Sequence, residues 1–386
     1  MTVLTGQKLL PYALYLLGII MTEATTLTFS PDWVSPPGDT IADILEEKDW
    51  TQVEFAERLD NSPKFVSQLI NGKAPITEDT AVRLARVLGS TERFWLTREA
   101  NYRAQLAQIE EKKRLESWVG WLEQIPVKEL MKQGQIAKRR LDSKNKPFVV
   151  KDMLSFFGVA SPEGWNNFYA GKELAYRRTK EEQSDLGAIT SWLRIGELEA
   201  EQQECPNYNK GKFQKAVKEM RNLTVLSAAE FLPQLQQLCR DSGVVFVLVP
   251  SIPRAHVSGV ARWLNPHKAL IQLSLYGKSN DRFWFTFFHE VAHILLHGKD
   301  DIFLDEWSKG KDVPSEQEEE ANQWARDFLI PPKYTAELAQ LNSKEQVKTF
   351  ADRVGIHPGI VVGRLQHDET IDQTWMNGLK DRLDFS

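Results

Sequence analysis

The segment FTFFHEVAHILLH, residues 285–297, is the most informative stretch of this 386-residue chain. Aromatic and aliphatic residues flank its polar positions on both sides, which predicts a helix buried in a core. His289 and His293 are four residues apart, so an α-helix presents both imidazoles on one face, where they can reach the same metal ion. Glu290 lies beside them, where it can hold a water molecule on the metal. The segment therefore predicts a buried helix that carries a metal site.

A hydrolytic site of this kind needs a third protein ligand, and several residues are candidates. His297 lies about 12 Å further along the helix axis than His289, so it cannot reach the same ion unless the helix breaks. Glu306 would require a tight return of the following loop. A set of two imidazoles and one carboxylate suits Zn²⁺ best among the common divalent metals.

The better source of the third ligand is PSEQEEEANQWARDFLIPP, residues 314–332. Its apolar residues recur at helical spacing and predict a second amphipathic helix. Glu318 and Asn322 share one face of that helix, one turn apart, so one can bind the metal while the other hydrogen-bonds a ligand imidazole. Glu320 is the alternative ligand if the helix is rotated about its axis.

Three short apolar runs between these helices and the middle of the chain predict β-strands. They are VVFVLVP (residues 244–250), VSGVARWL (257–264) and ALIQLSL (269–275). From its position alone, the third run is expected to accept an extended peptide by addition to the sheet edge. Together with long helices starting near Arg282 and Ser315, these strands predict a mostly helical α+β chain with a small sheet.

The N-terminal part contains DWTQVEFAERLDNSPKFVSQLINGKAP, residues 49–75, which has the pattern of a helix-turn-helix. Thr51 caps the first helix, and Ser62 caps the second, which has Pro63 at its first position. The apolar positions expected to face the core are Val53, Phe55, Ala56, Leu59, Phe65, Val66, Leu69 and Ile70. This part is therefore predicted to be an all-α, DNA-binding bundle.

The outward face of the second helix would read base edges in the major groove of DNA. That face carries Lys64, Ser67 and Gln68. Residues at the helix ends and in the following loop suit contacts to phosphates, which set the register of binding. They are Gln52, Asn71 and Lys73. Acidic residues outnumber basic ones in this segment, so we expect a homodimer on a palindromic operator to compensate for weak affinity of each copy.

Composition limits the remaining possibilities. The chain has 48 basic and 53 acidic residues and a formal net charge of −5, which argues against coating of nucleic acid or of an anionic membrane through bulk charge. Two cysteines without a C-x-x-C pair indicate a reducing compartment, so we expect a cytoplasmic protein. The apolar run Leu9–Met21 is too short to span a membrane.

These patterns predict four segments along the chain. They are an N-terminal extension (1–37), a helix-turn-helix domain (38–103), a helical connecting region (104–224) and a domain that carries the metal site and a helical tail (225–386). Residues 1–20 are expected not to be translated, with the true start at Met21. No function is predicted for the connecting region.

Both motif-bearing regions resemble known families. Residues 38–103 resemble the phage-repressor or Cro type of helix-turn-helix, in its HigA-type antitoxin branch. FWFTFFHEVAHILLH followed by EEEANQWARDFLIPP resembles the ImmA/IrrE metallopeptidases over roughly residues 225–335. The second resemblance implies a zincin-like domain with a gluzincin-like zinc site, in which His289, His293 and Glu318 bind the metal and Glu290 is the general base. Asn322 stands where related peptidases have an aspartate.

The combination predicts a transcriptional regulator with zinc-dependent endopeptidase activity. Its expected substrate is a repressor, a toxin-antitoxin partner or the protein itself, and no membrane contact is expected. The alternative is a non-enzymatic HigA-like antitoxin or repressor whose C-terminal domain only binds a partner. The presence of Glu290 favours the enzyme, since a domain that only keeps the fold has no need of that carboxylate.

Overall fold

The computed structural model describes residues 34–176, 185–274, 279–298, 303–306 and 316–383. The predicted untranslated residues 1–20 and the expected start at Met21 lie outside these described residues. The chain divides into two compact units, one ending at Arg114 and the other beginning at Leu115.

The first unit is helical. Its helices are α1 (Pro37–Glu47), α2 (Gln52–Arg58), α3 (Pro63–Ile70), α4 (Glu78–Leu88) and α5 (Glu92–Ser117). The predicted domain boundary at 103/104 lies inside α5, which continues across the division at 114/115. No glycine or proline interrupts α5, so nothing in its sequence ends the helix at the predicted boundary.

Local signals define α2 and α3 as the sequence predicts. The Thr51 hydroxyl accepts a hydrogen bond from the Glu54 amide, and the Ser62 hydroxyl accepts one from the Phe65 amide, each at 3.1 Å. The fully buried residues of the two helices are Phe55, Ala56, Leu59, Val66 and Leu69. Val53 was expected in this core but is 56% exposed, because it lies about 200° around the helix from Phe55.

The second unit contains the sheet and the remaining helices. Its helices are α6 (Val127–Lys132), α7 (Lys146–Phe157), α8 (Pro162–Tyr176), α9 (Leu186–Glu201), α10 (Lys210–Asn222), α11 (Ala228–Asp241), α12 (Asn280–Leu296), α13 (Glu316–Leu329), α14 (Thr335–Leu338), α15 (Lys344–Val354) and α16 (Pro358–His367). Its strands are β1 (Val244–Leu248), β2 (Val257–Asn265), β3 (Lys268–Leu273) and β4 (Phe303–Glu306). The predicted boundary at 224/225 lies within this unit.

The four strands form one sheet in the order β1-β3-β2-β4. β1 runs parallel to β3, and β2 is antiparallel to both β3 and β4. The expectation that the run ALIQLSL offers a free edge is wrong, because β3 is paired on both sides. β3 is internal because β1 pairs with it and not with β2, the next strand along the chain, and position along the chain does not reveal such a pairing.

Both faces of this sheet are covered, and successive residues of β1 alternate between two cores. Val244 and Phe246 join the core that contains α12, while Val245 and Val247 join the core that contains α9. The Trp192 indole in α9 donates a hydrogen bond to the carbonyl that follows β1, at 3.2 Å. Burial on both faces explains why the strand sequences are continuously apolar rather than alternating.

The prediction of a mostly helical α+β chain with a small sheet is confirmed. Within the described residues, none of the helices combines the length and the apolar character that a membrane crossing requires.

A half-buried carboxyl on α9 gives the second unit a testable pH dependence. Burial raises the pKa of Glu199 from 4.5 to about 7. A folded-state pKa above the unfolded value means that stability is lost as the pH rises from about 4.5 through 7. We expect Glu199→Gln to remove this loss and to raise the free energy of unfolding at pH 8 by about 1 to 2 kcal/mol, with little effect at pH 5.

The measurement is chemical or thermal unfolding of the full chain at both pH values. The exposed Glu204 provides a control, since Glu204→Gln removes the same charge without removing a buried carboxyl. If both variants raised the free energy of unfolding equally at pH 8, the loss of stability could not be attributed to the burial of the Glu199 carboxyl.

Candidate metal centre and helix-turn-helix surface

Helix α12 is held in place by aromatic packing along most of its length. Trp284 lies with its ring centroid 4.8 Å from that of Phe231 in α11, and Phe287 lies 5.4 Å from Phe246 in β1. These residues are almost fully buried, as are His289 and His293, each 2% exposed. The two imidazoles therefore project from a rigid apolar helix into a region from which water is largely excluded.

The structure brings His289, His293 and Glu318 together. The two imidazole Nε2 atoms lie 2.9 Å apart, and the Glu318 carboxylate oxygens lie 3.2 Å from Nε2 of His289 and 3.4 Å from Nε2 of His293. Ligand atoms about 2.0 to 2.1 Å from a tetrahedral zinc ion are about 3.3 Å from one another. The observed spacings of 2.9 to 3.4 Å lie near that edge length, so these three side chains are close enough to share one zinc ion.

Glu318 reaches the two histidines because α13 packs closely against α12. Ala321 and Ala325, which lie on the buried face of α13, are fully buried, and their small side chains allow the helices to approach. Phe328 on the same helix contacts Phe288 of α12 with ring centroids 5.0 Å apart. Glu318 lies about one turn before Ala321 on the same side of α13, which directs its carboxylate to the histidine face of α12.

The electrostatic setting keeps the His293 imidazole neutral. Burial, followed by the neighbouring His289 and His297, lowers the pKa of His293 to about 2. A neutral imidazole keeps the lone pair that binds a metal, whereas a protonated imidazole has none to offer. His293 is therefore a neutral imidazole with a lone pair available to a metal ion, not a cation, at physiological pH.

Glu290 is fully buried on the same helix. Its carboxylate lies against Gly259 in the middle of β2, where a Cβ atom would approach Oε1 to 2.5 Å. A strand glycine often marks such a close approach, and here it makes the space that this carboxylate fills. The sheet therefore fixes the position of the Glu290 side chain.

The other ligand candidates take different places. His297 follows the last residue of α12, and its Nδ1 lies 2.8 Å from Nδ1 of His293, on the far side of that ring from the carboxylate of Glu318. Glu320 is 3.2 Å from Nε2 of His297. Glu306 lies in β4, with its backbone in register with Val257.

The outer contact to His293 thus comes from His297, while Asn322 makes no hydrogen bond to a ligand imidazole among the described contacts. The predicted supporting role of Asn322 followed from its position one turn after Glu318. Sequence reasoning missed His297 in this role because it considered only whether the residue could reach the metal itself. The signal was its spacing of four from His293, which places it on the same side of the helix.

The predicted DNA-contacting residues all lie on the surface of the first unit. Those that are exposed are Gln52, Lys64, Gln68, Asn71 and Lys73, and the half-buried one is Ser67. The Asn71 amide donates to the Ser67 carbonyl at 2.7 Å and so ties down the end of α3.

Two arginines beside this surface are held by carboxylates. Arg58 pairs with Glu54 and Arg83 pairs with Asp79, each at 2.8 Å. Such exposed pairs neutralise much of the charge of both arginines at long range. Any attraction of this surface for phosphates therefore depends on local residues such as Lys64.

Comparison with known families assigns both regions. Residues 41–95 match the helix-turn-helix family, and residues 249–366 match the IrrE N-terminal-like domain of peptidase family M78. Both resemblances expected from the sequence are confirmed at the level of the family. The second match includes the three residues that the structure brings together.

Named relatives agree with the first match. The chain is 38% identical over 60 residues to the uncharacterized HTH-type transcriptional regulator YddM of Escherichia coli. These residues are 16% of this chain and 64% of YddM, so the match spans just under two thirds of the length of that relative. The chain is also 34% identical over 90 residues to YbaQ, another uncharacterized HTH-type transcriptional regulator of Escherichia coli. These residues are 23% of this chain and 78% of YbaQ.

A solved structure from Nostoc punctiforme is also similar in sequence. It is described as an antidote protein of a plasmid maintenance system, and it is 37% identical, with a TM-score of 0.21, over 22% of this chain and 94% of its own. The family matches and the coverage of YbaQ carry the assignment. The chain therefore belongs to the HTH-type transcriptional regulators and carries a C-terminal domain of the IrrE-like peptidase family.

Proposed function

We propose that this regulator is a zinc-dependent endopeptidase that also binds operator DNA. The convergence of His289, His293 and Glu318 within one buried cluster carries the proposal. Two imidazoles and a carboxylate are the donor set that zinc hydrolases use, and zinc suits this set better than magnesium or calcium does. Glu290, buried on the same helix between the two histidines, supplies the fourth group that such chemistry requires.

The roles of the residues follow from their chemistry. When bound, zinc would activate a water molecule and polarise the carbonyl of the scissile peptide bond. His289, His293 and Glu318 would hold the ion through Nε2, Nε2 and a carboxylate oxygen. Glu290 would accept the proton of the attacking water on its carboxylate and deliver it to the nitrogen of the leaving amine. Gly259 supports this role because it leaves room for the Glu290 carboxylate against β2.

On the DNA side, Lys64, Ser67 and Gln68 would face base edges in the major groove. Gln52, Asn71 and Lys73 would contact phosphates and set the register. Acidic groups close to this surface limit the affinity of a single copy, so we propose a homodimer on a palindromic operator.

The substrate class follows from joining the two activities in one chain. A peptidase held at an operator meets at high local concentration the proteins that bind there. We therefore propose that it cleaves a repressor, a toxin-antitoxin partner or a second copy of itself. In the alternative, a regulator without enzymatic activity, the same domain would bind such a partner without cleaving it.

The role of Glu290 can be tested separately from metal binding. We expect Glu290→Gln to retain about one zinc per chain and its affinity for DNA, while proteolysis falls by a factor of about 10³ or more, because an amide cannot take up the proton. The measurement is elemental analysis of both proteins, together with enrichment of new protein N-termini from cells that express each one.

His293→Ala provides the complementary variant, because it should lose zinc and proteolysis together. If cells that express wild type and Glu290→Gln contain the same set of new N-termini, the peptidase proposal fails and the binding alternative stands. A wild-type protein that cannot be loaded with zinc would exclude the metal centre itself.

The DNA-binding surface can be tested with duplexes selected from a random library by the wild-type protein. We expect Gln68→Ala to relax the preference at one base pair of each half-site, at a cost of about 1 to 3 kcal/mol. Lys73→Ala should instead weaken binding to all sequences alike and reduce its salt dependence, since phosphate contacts carry no sequence information.

Lys112→Ala is the matched control, because it removes one positive charge from an exposed position on α5. Equal losses from Lys73→Ala and Lys112→Ala would mean that only the net charge matters. A failure to select any duplex would contradict sequence-specific DNA binding.

A further inference from the structure

A chain of three side chains leads outward from the candidate metal centre. Nε2 of His293 faces His289 and Glu318, whereas its Nδ1 lies 2.8 Å from Nδ1 of His297. Nε2 of His297 in turn lies 3.2 Å from a carboxylate oxygen of Glu320. The contacts therefore run from one ligand imidazole, through a second imidazole, to a carboxylate.

Once a metal is bound, the hydrogen bonds among His293, His297 and Glu320 can form with only one assignment of donors and acceptors. If Nε2 of His293 gives its lone pair to the ion, the ring proton must be on Nδ1, which then donates to Nδ1 of His297. If Nδ1 of His297 accepts that hydrogen bond, the proton of its ring is on Nε2, which donates to Glu320. Each nitrogen then has one role, and the chain ends on a negative charge.

The backbone explains why His297 can take this position. α12 ends at Leu296, and His297 adopts an extended conformation (φ −102°, ψ 172°), while its amide still donates to the His293 carbonyl at 3.1 Å. The change of direction lets the side chain fold back beside His293, where it is 4% exposed.

Two helices supply the ends of this chain, so it also links α12 to α13. Glu318 contacts Nε2 of His293, while Glu320, two residues later on the same helix, contacts Nε2 of His297, whose Nδ1 meets the opposite side of the His293 ring. The His293 ring is therefore held between Glu318 on one side and His297 on the other. A hydrogen bond from a ligand imidazole to an outer acceptor raises its basicity and fixes its tautomer.

We propose that His297 and Glu320 are positioning residues that fix the tautomer and orientation of His293 for metal binding. The inference rests on the proposed zinc site, which it deepens with two residues that do not touch the ion. Glu320 acts only through His297, so removing either one should break the same chain.

Zinc affinity of the full-length protein, measured by competition with a chromophoric chelator, tests this inference. We expect His297→Phe, which keeps a buried ring but removes both nitrogens, to weaken zinc binding by a factor of about 10 to 100. Glu320→Gln changes a side chain that is 58% exposed and outside the core, and it should weaken zinc binding by a factor of about 3 to 10. The double variant should bind no more weakly than His297→Phe alone, because the two residues form one chain.

Glu319→Gln is the matched control. Glu319 is the preceding residue on α13, is 57% exposed and pairs with Arg326, so its substitution makes the same change in net charge at nearly the same exposure. We expect it to change zinc affinity by less than a factor of 2.

The outcomes separate this inference from the proposed function. Weakened binding in His297→Phe and Glu320→Gln, with the control unchanged, supports the positioning role. Three results would overturn the positioning role and leave the zinc site intact. In the first, all three single variants bind zinc as tightly as the wild type does. In the second, Glu319→Gln and Glu320→Gln weaken binding equally, and in the third the losses of His297→Phe and Glu320→Gln multiply in the double variant. A wild-type protein that binds no zinc would overturn both.

Discussion

The burial of two imidazoles and one carboxylate on the apolar helix α12 is the constraint on which the rest of the second unit depends. The burial of polar groups lowers the stability of the fold unless neighbouring groups form hydrogen bonds or ion pairs with them. Because burial also lowers the pKa of His293, its ring stays neutral and can offer a lone pair. The surrounding elements must therefore bring oxygen and nitrogen atoms to this one helix without admitting solvent.

The sheet and α13 meet this requirement from two directions. The sheet is covered on both faces, so its β2 and β3 strands present a dry surface to α12, and Gly259 leaves the space that the Glu290 carboxylate fills. On the other side, Ala321 and Ala325 allow α13 to approach closely enough for Glu318 to reach both histidines. Small residues at these contacts are thus as necessary to the site as the charged ones.

The helix-turn-helix unit depends on a different balance. Its short helices are defined by side-chain caps at Thr51 and Ser62 and by a compact core, which are local features. Its arginines beside the predicted DNA surface are paired with carboxylates, so long-range attraction for DNA is weak. In the proposed function this balance favours a regulator that relies on specific contacts and on assembly, since bulk charge would also hold it on unrelated sequences.

Sequence alone determined the features that depend on local spacing. The caps of α2 and α3, the helical phase that places His289 and His293 on one face, and the apolar strands all follow from periodicities within a few residues. Only the tertiary structure decided which strands lie at the edge of the sheet and which carboxylates meet His293 and His297. Strand order and the approach of α13 arise from packing between residues distant in the chain. The spacing of four already places His297 beside His293, but the approach of Glu320 to His297 comes from the packing of α13 against α12.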